Sequence, residues 1–516
     1  MKIVIIGGGT AGWLAALFLK KIHGKDRNIT VIESSKIGIV GAGEGSTGIM
    51  SDIIQNRMWN FDCNEEEFLK FTGSTPKLGI KHKHWKDTTS EYFGPIDASS
   101  TSGAIIDYIQ LHTIANNLKI HTSTRNGILL ENGKSTFFSK DENMIRTTNV
   151  SSHLTANALS LNSHAYHFDA HKVGQYFKTV CEKDNVTHID AIVKTVKMKE
   201  NGFLESVILD NGDVIDGDFF VDATGFAKLI LGKEYGIKWK SYKDNLPVNT
   251  AMPFILPHKP DDPIANYTTA WAQKNGWMWQ IPTANRVGCG YVFDDNFTTH
   301  EQAQQEIETV LGTKIEPIRF LKFDTGRMEK FWHKNVLTVG LAAAFAEPLE
   351  ATSIHTTIVQ LHAFCFSFFN DANCLNEGNE KRYNELMGKM YDDMRDFLVI
   401  HYMGGRTDTE FWKYISSGAT QTDFVKQLLD IAKVRPPKNS DWLGYMGYIG
   451  SPLYNVVLAN LNKLSPDVCQ KELKRYNGEL YADHLYEEDL KLVNRYSEKL
   501  LTSTEFVKSY RSSNIS

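Results

Sequence analysis

The sequence predicts a mixed α/β protein ending in a mostly helical C-terminal region. Three observations carry this. A strand–glycine loop–helix–strand unit opens the chain, alternating apolar strands recur between residues 240 and 330, and helical periodicity takes over after residue 400. Lys2–Ile6 (KIVII) is short, apolar and β-branched, as a buried parallel strand is. Gly7, Gly9 and Gly12 follow as GxGxxG, then an apolar helix from Trp13, then a second strand (ITVIE) ending at Glu33. Gly7 allows the tight turn, Gly9 admits a pyrophosphate to the backbone, and Gly12 lets helix and strand pack closely. Free N–H groups at the helix start face the phosphates. Glu33 lies 21 residues after Gly12, where its carboxylate can accept a bond from a ribose hydroxyl. In that order these parts define a Rossmann-like dinucleotide site.

The 516 residues suffice for two or three domains of roughly 150 residues each. A net charge of −5 gives no basic excess for nucleic acid or an anionic membrane. No run of about 18 apolar residues suggests a membrane span. Six scattered cysteines without a CxxC fit a reduced, cytoplasmic protein better than disulfides or a zinc site. No metal site is expected.

Further along, Gly38–Gly48 is a second glycine-rich loop at the same sheet edge, where α/β folds place ligands. Its glycine content alone fits a surface turn as well. Thr75–Trp85 alternates like a strand, and Pro76 disfavours helix before it. On such a strand Lys77 would ordinarily face water. Residues 90–165 read as long loops around a cavity. Asp169 is placed to cap a helix running to Cys181, and Asn211-Gly212 to turn a hairpin. Trp277 and Trp279 share one face of a strand, with Arg286–Phe293 antiparallel to it. Taken alone, that pair fits core packing better than a cofactor shield. Thr352 reads as the N-cap of an apolar helix whose free N–H groups suit a small anion, and Glu350 sits just outside. Residues 1–400 read as one core, with insertions at about 75–165 and 240–330. Residues 401–516 read as a helical domain capping it.

Read together, these stretches resemble the flavin-dependent halogenase family, which includes the tryptophan halogenases. The matches are GGGTAGW (Gly7–Trp13), TPKLGI with its following Trp85, YHFDAH (Tyr166–His171), DATGF (Asp222–Phe226) and GWMWQIP (Gly276–Pro282). EPLEATSIH (Glu347–His355) and RDFLVIHY through RTDTEFW (Arg395–Trp412) complete the series. They are collinear over about 400 residues. The resemblance implies an FAD-binding core and reduced FAD supplied by a separate NAD(P)H-dependent flavin reductase. Oxygen and a bound halide then give hypohalous acid, which travels through the protein to a lysine beside a small aromatic substrate. It implies flavin contacts at Gly7, Gly9, Thr10, Ala11, Gly12, Glu33, Ala42, Gly43, Glu44, Gly340, Leu349 and Ile354. Lys77 matches the lysine, Glu350 the assisting carboxylate, and Thr352 and Ser353 the halide site, while Trp277 and Trp279 separate flavin from substrate. A homo-oligomer is compatible with it.

Departures from the tryptophan-specific pattern redirect the substrate expectation. They are Ala351-Thr352-Ser353 after the carboxylate, GEGSTG at Gly43–Gly48, Glu91 in place of a sandwiching histidine, and no amino-acid-gripping set around Trp442–Tyr454. An indole- or phenol-like aromatic is expected rather than free tryptophan, with bromide and iodide at least as reactive as chloride. The competing readings are an FAD-dependent aromatic hydroxylase and a non-catalytic flavin-binding protein. The tryptophan pair argues against the first, and neither needs Lys77 or Glu350.

Overall fold

The computed structural model describes residues 1–24, 27–38, 44–57, 59–96, 107–138, 164–259, 262–370, 374–442 and 449–512. A six-stranded sheet runs in the order Trp332–His333, Val336–Thr338, Phe219–Asp222, Lys2–Ile6, Asn28–Glu33, Thr187–Asp190. Five strands are parallel, and Trp332–His333 is an antiparallel edge. The strand Lys2–Ile6 lies in the middle and buries four of its five residues. The helix Thr10–His23 buries Gly12–Leu19 without a break, because the sheet lies on one side and the helix Ala170–Lys183 on another.

A second sheet has seven strands: Leu321–Lys322, Thr250–Leu256, Val287–Phe293, Gly276–Pro282, Tyr267–Ala272, Gly79–Lys83 and Glu91–Pro95. Its pairings are antiparallel except that of Tyr267–Ala272 with Gly79–Lys83. That parallel pairing draws a strand from early in the chain against one nearly 190 residues later. The two strands pair antiparallel as the sequence predicts; Trp279 stands opposite Gly290, and a Cβ on Gly290 would stand 2.0 Å from the Trp279 ring. Glycine there lets the indole lie flat across the neighbouring strand. A small third sheet joins Glu44–Gly45, Ala165–Phe168 and Thr75–Lys77, bringing the second glycine loop, the YHF strand and Lys77 side by side.

Several expectations change. Thr75–Trp85 is two strands in two sheets, broken at Leu78. Within residues 90–165 the described part holds the strand Glu91–Pro95, the helices Tyr108–Ala115 and Arg125–Glu131, and the strand Lys134–Phe138, and the remainder of the expected long loops lies outside the described residues. Their polar, weakly periodic sequence hides the helices, which Asp107 and Thr124 cap by accepting from Gln110 and Gly127 N–H. Asp169 caps Ala170–Lys183 as expected, and Gly212 turns the predicted hairpin at φ +90°. Ala42 and Gly43 lie outside the described residues.

The long helix Glu377–His401 runs across residue 400, followed by helices Glu410–Ser416, Asp423–Ala432, Ser451–Asn460, Pro466–Arg475, Glu479–Ser497 and Ser503–Ser512. An aromatic-rich core of Trp85, Trp277, Trp279, Phe397, Tyr402 and Trp412 joins these helices to the seven-stranded sheet. All six cysteines are buried and unbridged. No described helix is long and apolar enough to cross a membrane.

Replacing Gly290 by alanine should drive a methyl into the Trp279 ring and cost about 1–3 kcal/mol. The expected readout is a fall of several degrees in the thermal unfolding midpoint.

Candidate active site

The first glycine loop is built as the motif requires. Gly7 has φ +110°, and a Cβ there would stand 2.2 Å from the Ala223 carbonyl oxygen. A Cβ on Gly12 would stand 1.9 Å from the Gly7 oxygen, whereas one on Gly9 would meet nothing within 4 Å. The loop is therefore closed toward the sheet and open on the side a pyrophosphate would take. Glu33 stands beside Gly8, paired with His188 Nε2 at 2.9 Å and Lys178 Nζ at 3.3 Å. Gly340, at φ +63°, lies against Ala11: a Cβ on it would be 2.5 Å from that methyl. The turn after the strand Val336–Thr338 thus packs directly on the loop, as expected of two segments sharing one ligand.

Lys77 is 1 % exposed, not solvated as its strand position alone suggests. Its Nζ donates to the Ser46 carbonyl at 3.0 Å, and a Cβ on Gly45 would stand 3.1 Å from it. The lysine therefore hangs from the end of the second glycine loop. Burial pulls its pKa down to about 8, against an opposing pull from the Glu350 charge. Burial, then the Lys77 charge, hold neighbouring His167 neutral, its Nε2 2.9 Å from Thr268 Oγ1.

Glu350 (φ +66°) and Ala351 (φ +52°) are consecutive left-handed residues, a conformation disfavoured by roughly 1–2 kcal/mol each without glycine. They swing the chain so that the Glu350 carboxylate meets His401 Nε2 at 3.0 Å and His82 Nε2 at 3.3 Å. Burial alone would raise the Glu350 pKa, but hydrogen bonds and charge from His401 and His82 overcome it and hold the group ionised, well below the usual range. His401 Nδ1 lies 2.9 Å from the Phe397 carbonyl, which can only accept, so a bond from Nε2 to Glu350 makes the ring a double donor. His82 stacks on Tyr92 at 4.7 Å and 14°.

The helix after this turn is Thr352–Ala363, with Ala351 at the N-cap position, so Thr352 is its first residue and not its cap. The sequence shows no sign of the left-handed turn that shifts the start. Thr352 and Ser353 still sit at the helix start, where N–H groups lack intrahelical partners. His355 Nδ1 meets Thr47 Oγ1, tying this helix to the second glycine loop. Leu349 is buried in the aromatic core and Ile354 in the core beneath the parallel sheet. Glu44 opens a strand separated from that of Lys77 by Ala165–Phe168, with its pKa pushed up to about 7 by burial and then by Asp169.

Trp277 and Trp279 lie side by side with ring centres 6.3 Å apart, and Trp85 packs 6.2 Å from Trp277. Burial pushes the Glu347 carboxyl up to about 8, against a hydrogen bond from Tyr402. Glu91 is not in this chamber. It pairs with Lys81 and Lys83 on the opposite face of its strand, and Tyr92 is the residue turned toward Glu350. His82, Tyr92, Glu347 and His401 were missed by sequence reasoning. His82 and Tyr92 face each other across a strand pair, and His401 lies 51 residues beyond Glu350, so only the fold joins them.

A Rossmann-like glycine loop, a buried lysine hung from a second glycine loop and a carboxylate met by two imidazoles fit one class of enzyme: the flavin-dependent halogenases. Within that class the chain belongs to the tryptophan halogenase family, whose model matches residues 2–482. The chain is 30 % identical over 471 residues to a tryptophan 6-halogenase of Streptomyces toxytricini, covering 88 % of this chain and 87 % of that one. It is 30 % identical over 502 residues to a tryptophan 7-halogenase of Lentzea aerocolonigenes, covering 92 % and 91 %. Among solved structures it matches a tryptophan C-6 flavin-dependent halogenase (chlorinase) from taromycin biosynthesis, with a TM-score of 0.85 at 27 % identity over 99 % of both chains. A tryptophan halogenase of Shewanella frigidimarina shares the fold at a TM-score of 0.86 and 23 % identity, over 99 % of this chain and 98 % of that one.

Gly7→Ala adds a methyl where neither the backbone angle nor the Ala223 oxygen leaves room for it. Its affinity for FAD should fall at least about tenfold, as a flavin fluorescence titration would show.

Proposed function

We propose that this protein halogenates an electron-rich, indole- or phenol-like aromatic, with Lys77 guiding the halogen and Glu350 assisting. The observation that carries this is the placement of Lys77: a buried ammonium hung from the Ser46 carbonyl, with the Glu350 charge acting on it. A structural lysine gains nothing from such a place, since burying a charge is costly unless the charge is used or fully paired.

The residues present fit FAD. The open side of Gly9 and the start of the helix Thr10–His23 would hold its pyrophosphate, Glu33 its ribose, and the Gly340 turn the far side of the loop. Reduced FAD, delivered by a separate reductase, supplies hypohalous acid when oxygen and halide are present. Thr352 and Ser353 offer the halide their N–H groups, in the concavity formed where left-handed Ala351 meets helical Thr352. Trp277 and Trp279 wall this chamber from the substrate. The Lys77 ammonium hydrogen-bonds the hypohalous acid and aims it at one carbon. As the ring carbon takes the halogen, the oxygen–halogen bond breaks and leaves hydroxide, which takes up the proton lost from that carbon and departs as water, while Glu350, kept ionised, stabilises the positive charge that develops on the ring. Its strongly lowered pKa makes it a weak base, so electrostatic stabilisation is its main task.

Three outcomes test this. Lys77→Ala should retain FAD binding and lose halide-dependent product, read by mass spectrometry for the bromine isotope pair; normal halogenation would overturn the lysine assignment. Because Lys77 is protonated below about pH 8 and neutral above it, single-turnover halogenation should fall as pH rises through about 8. In a mixed-halide competition, bromide should react at least as well as chloride. Oxygenated product without halide would instead indicate a hydroxylase.

A further inference from the structure

The two imidazoles that hold Glu350 approach the same oxygen. His401 Nε2 is hydrogen-bonded to Oε1 at 3.0 Å, and His82 Nε2 lies 3.3 Å from that same Oε1, at ion-pair distance without hydrogen-bond geometry. Among the described residues no hydrogen bond reaches Oε2, and the side chain keeps 20 % exposure. Both rings are fixed independently of the carboxylate. His401 is buried and held through Nδ1 by the Phe397 carbonyl. His82 is 1 % exposed, stacked on Tyr92 and met edge-on by Trp85 at 6.0 Å. A carboxylate free to rotate would present either oxygen. One clamped by a single oxygen presents the other in a fixed direction.

We propose that His82 and His401 are positioning residues which pin Oε1 and present Oε2 as the acceptor for an N–H or O–H donor on the substrate ring. This rests on the halogenase reading and deepens it. The substrate class becomes aromatics carrying a free ring donor, namely indoles with an unsubstituted N–H and phenols with a free O–H. The donor held at Oε2 sets which ring carbon faces Lys77. An ionised acceptor in a site largely shielded from water discriminates against an analogue lacking the donor, because that analogue leaves Oε2 without a hydrogen-bond partner.

The test is equilibrium binding to the protein loaded with oxidised FAD, without reductase, so that no turnover is needed. Two matched pairs are titrated calorimetrically: indole with 1-methylindole, and phenol with anisole. The wild type should bind the donor-bearing member of at least one pair at least tenfold more tightly. His401→Phe should lose that preference, and His401→Gln, which keeps a donor near Nε2, should restore most of it. Glu350→Ala should abolish the preference in case the ring substitutions disturb folding, with FAD affinity and the unfolding midpoint as controls. Equal binding of both members by the wild type, no binding of any member, or an intact preference in Glu350→Ala would each overturn the proposal. The halogenase reading fails by a different sign, the absence of halide-dependent product on turnover, which this binding experiment does not use.

Discussion

The constraint on which the chamber depends is the burial of ionised groups. Lys77 is fully buried and Glu350 keeps only 20 % side-chain exposure, and unpaired charges there would cost several kcal/mol. The fold meets this cost from several directions. A carbonyl from the second glycine loop takes the ammonium, and imidazoles from an early strand and from the end of the long helix take the carboxylate. Each charge is thereby tied to a different part of the chain, and the position of one group becomes a statement about the packing of all. The two left-handed residues at Glu350 and Ala351 belong to the same balance, since the turn they make brings the carboxylate into reach of both histidines.

The aromatic wall plays the complementary part. Trp277, Trp279, Trp85, Tyr402 and Trp412 form continuous core between the seven-stranded sheet and the C-terminal helices, and this packing holds those helices in place. Glu347 joins the two roles. It is a carboxyl kept largely neutral near pH 7 by burial and bonded to Tyr402, at one end of the segment whose other end carries Glu350. Changes to the wall should therefore be felt as changes in stability as much as in selectivity.

Much of the fold was legible in the residues. The β-branched run at Lys2–Ile6, the three glycines and Glu33 gave a unit whose geometry each glycine confirms. The Trp277–Pro282 alternation led to its antiparallel partner strand at 286–293. Less legible were features set by distant partners. Lys77 looked solvated because a strand pattern records alternation but not which sheet covers which face. The helices between residues 107 and 131 were obscured by polar sequence, although Asp107 and Thr124 stood at their caps. The clamp on Glu350 was invisible because its members lie on separate segments of the chain, and the left-handed turn left no glycine to announce it.

The parallel pairing of Gly79–Lys83 with Tyr267–Ala272 has a consequence for synthesis. A nascent chain that has emerged through Lys83 carries an unpaired, partly apolar strand edge until residue 272 follows, and lacks the imidazole that completes the clamp until residue 401. At about 5–20 residues per second, that interval is roughly ten seconds or more, long against most elementary folding events. The N-terminal half therefore cannot mature as a self-sufficient unit on the ribosome. Its exposed edge is a target for holding chaperones, and truncated products ending before residue 272 should accumulate in aggregates.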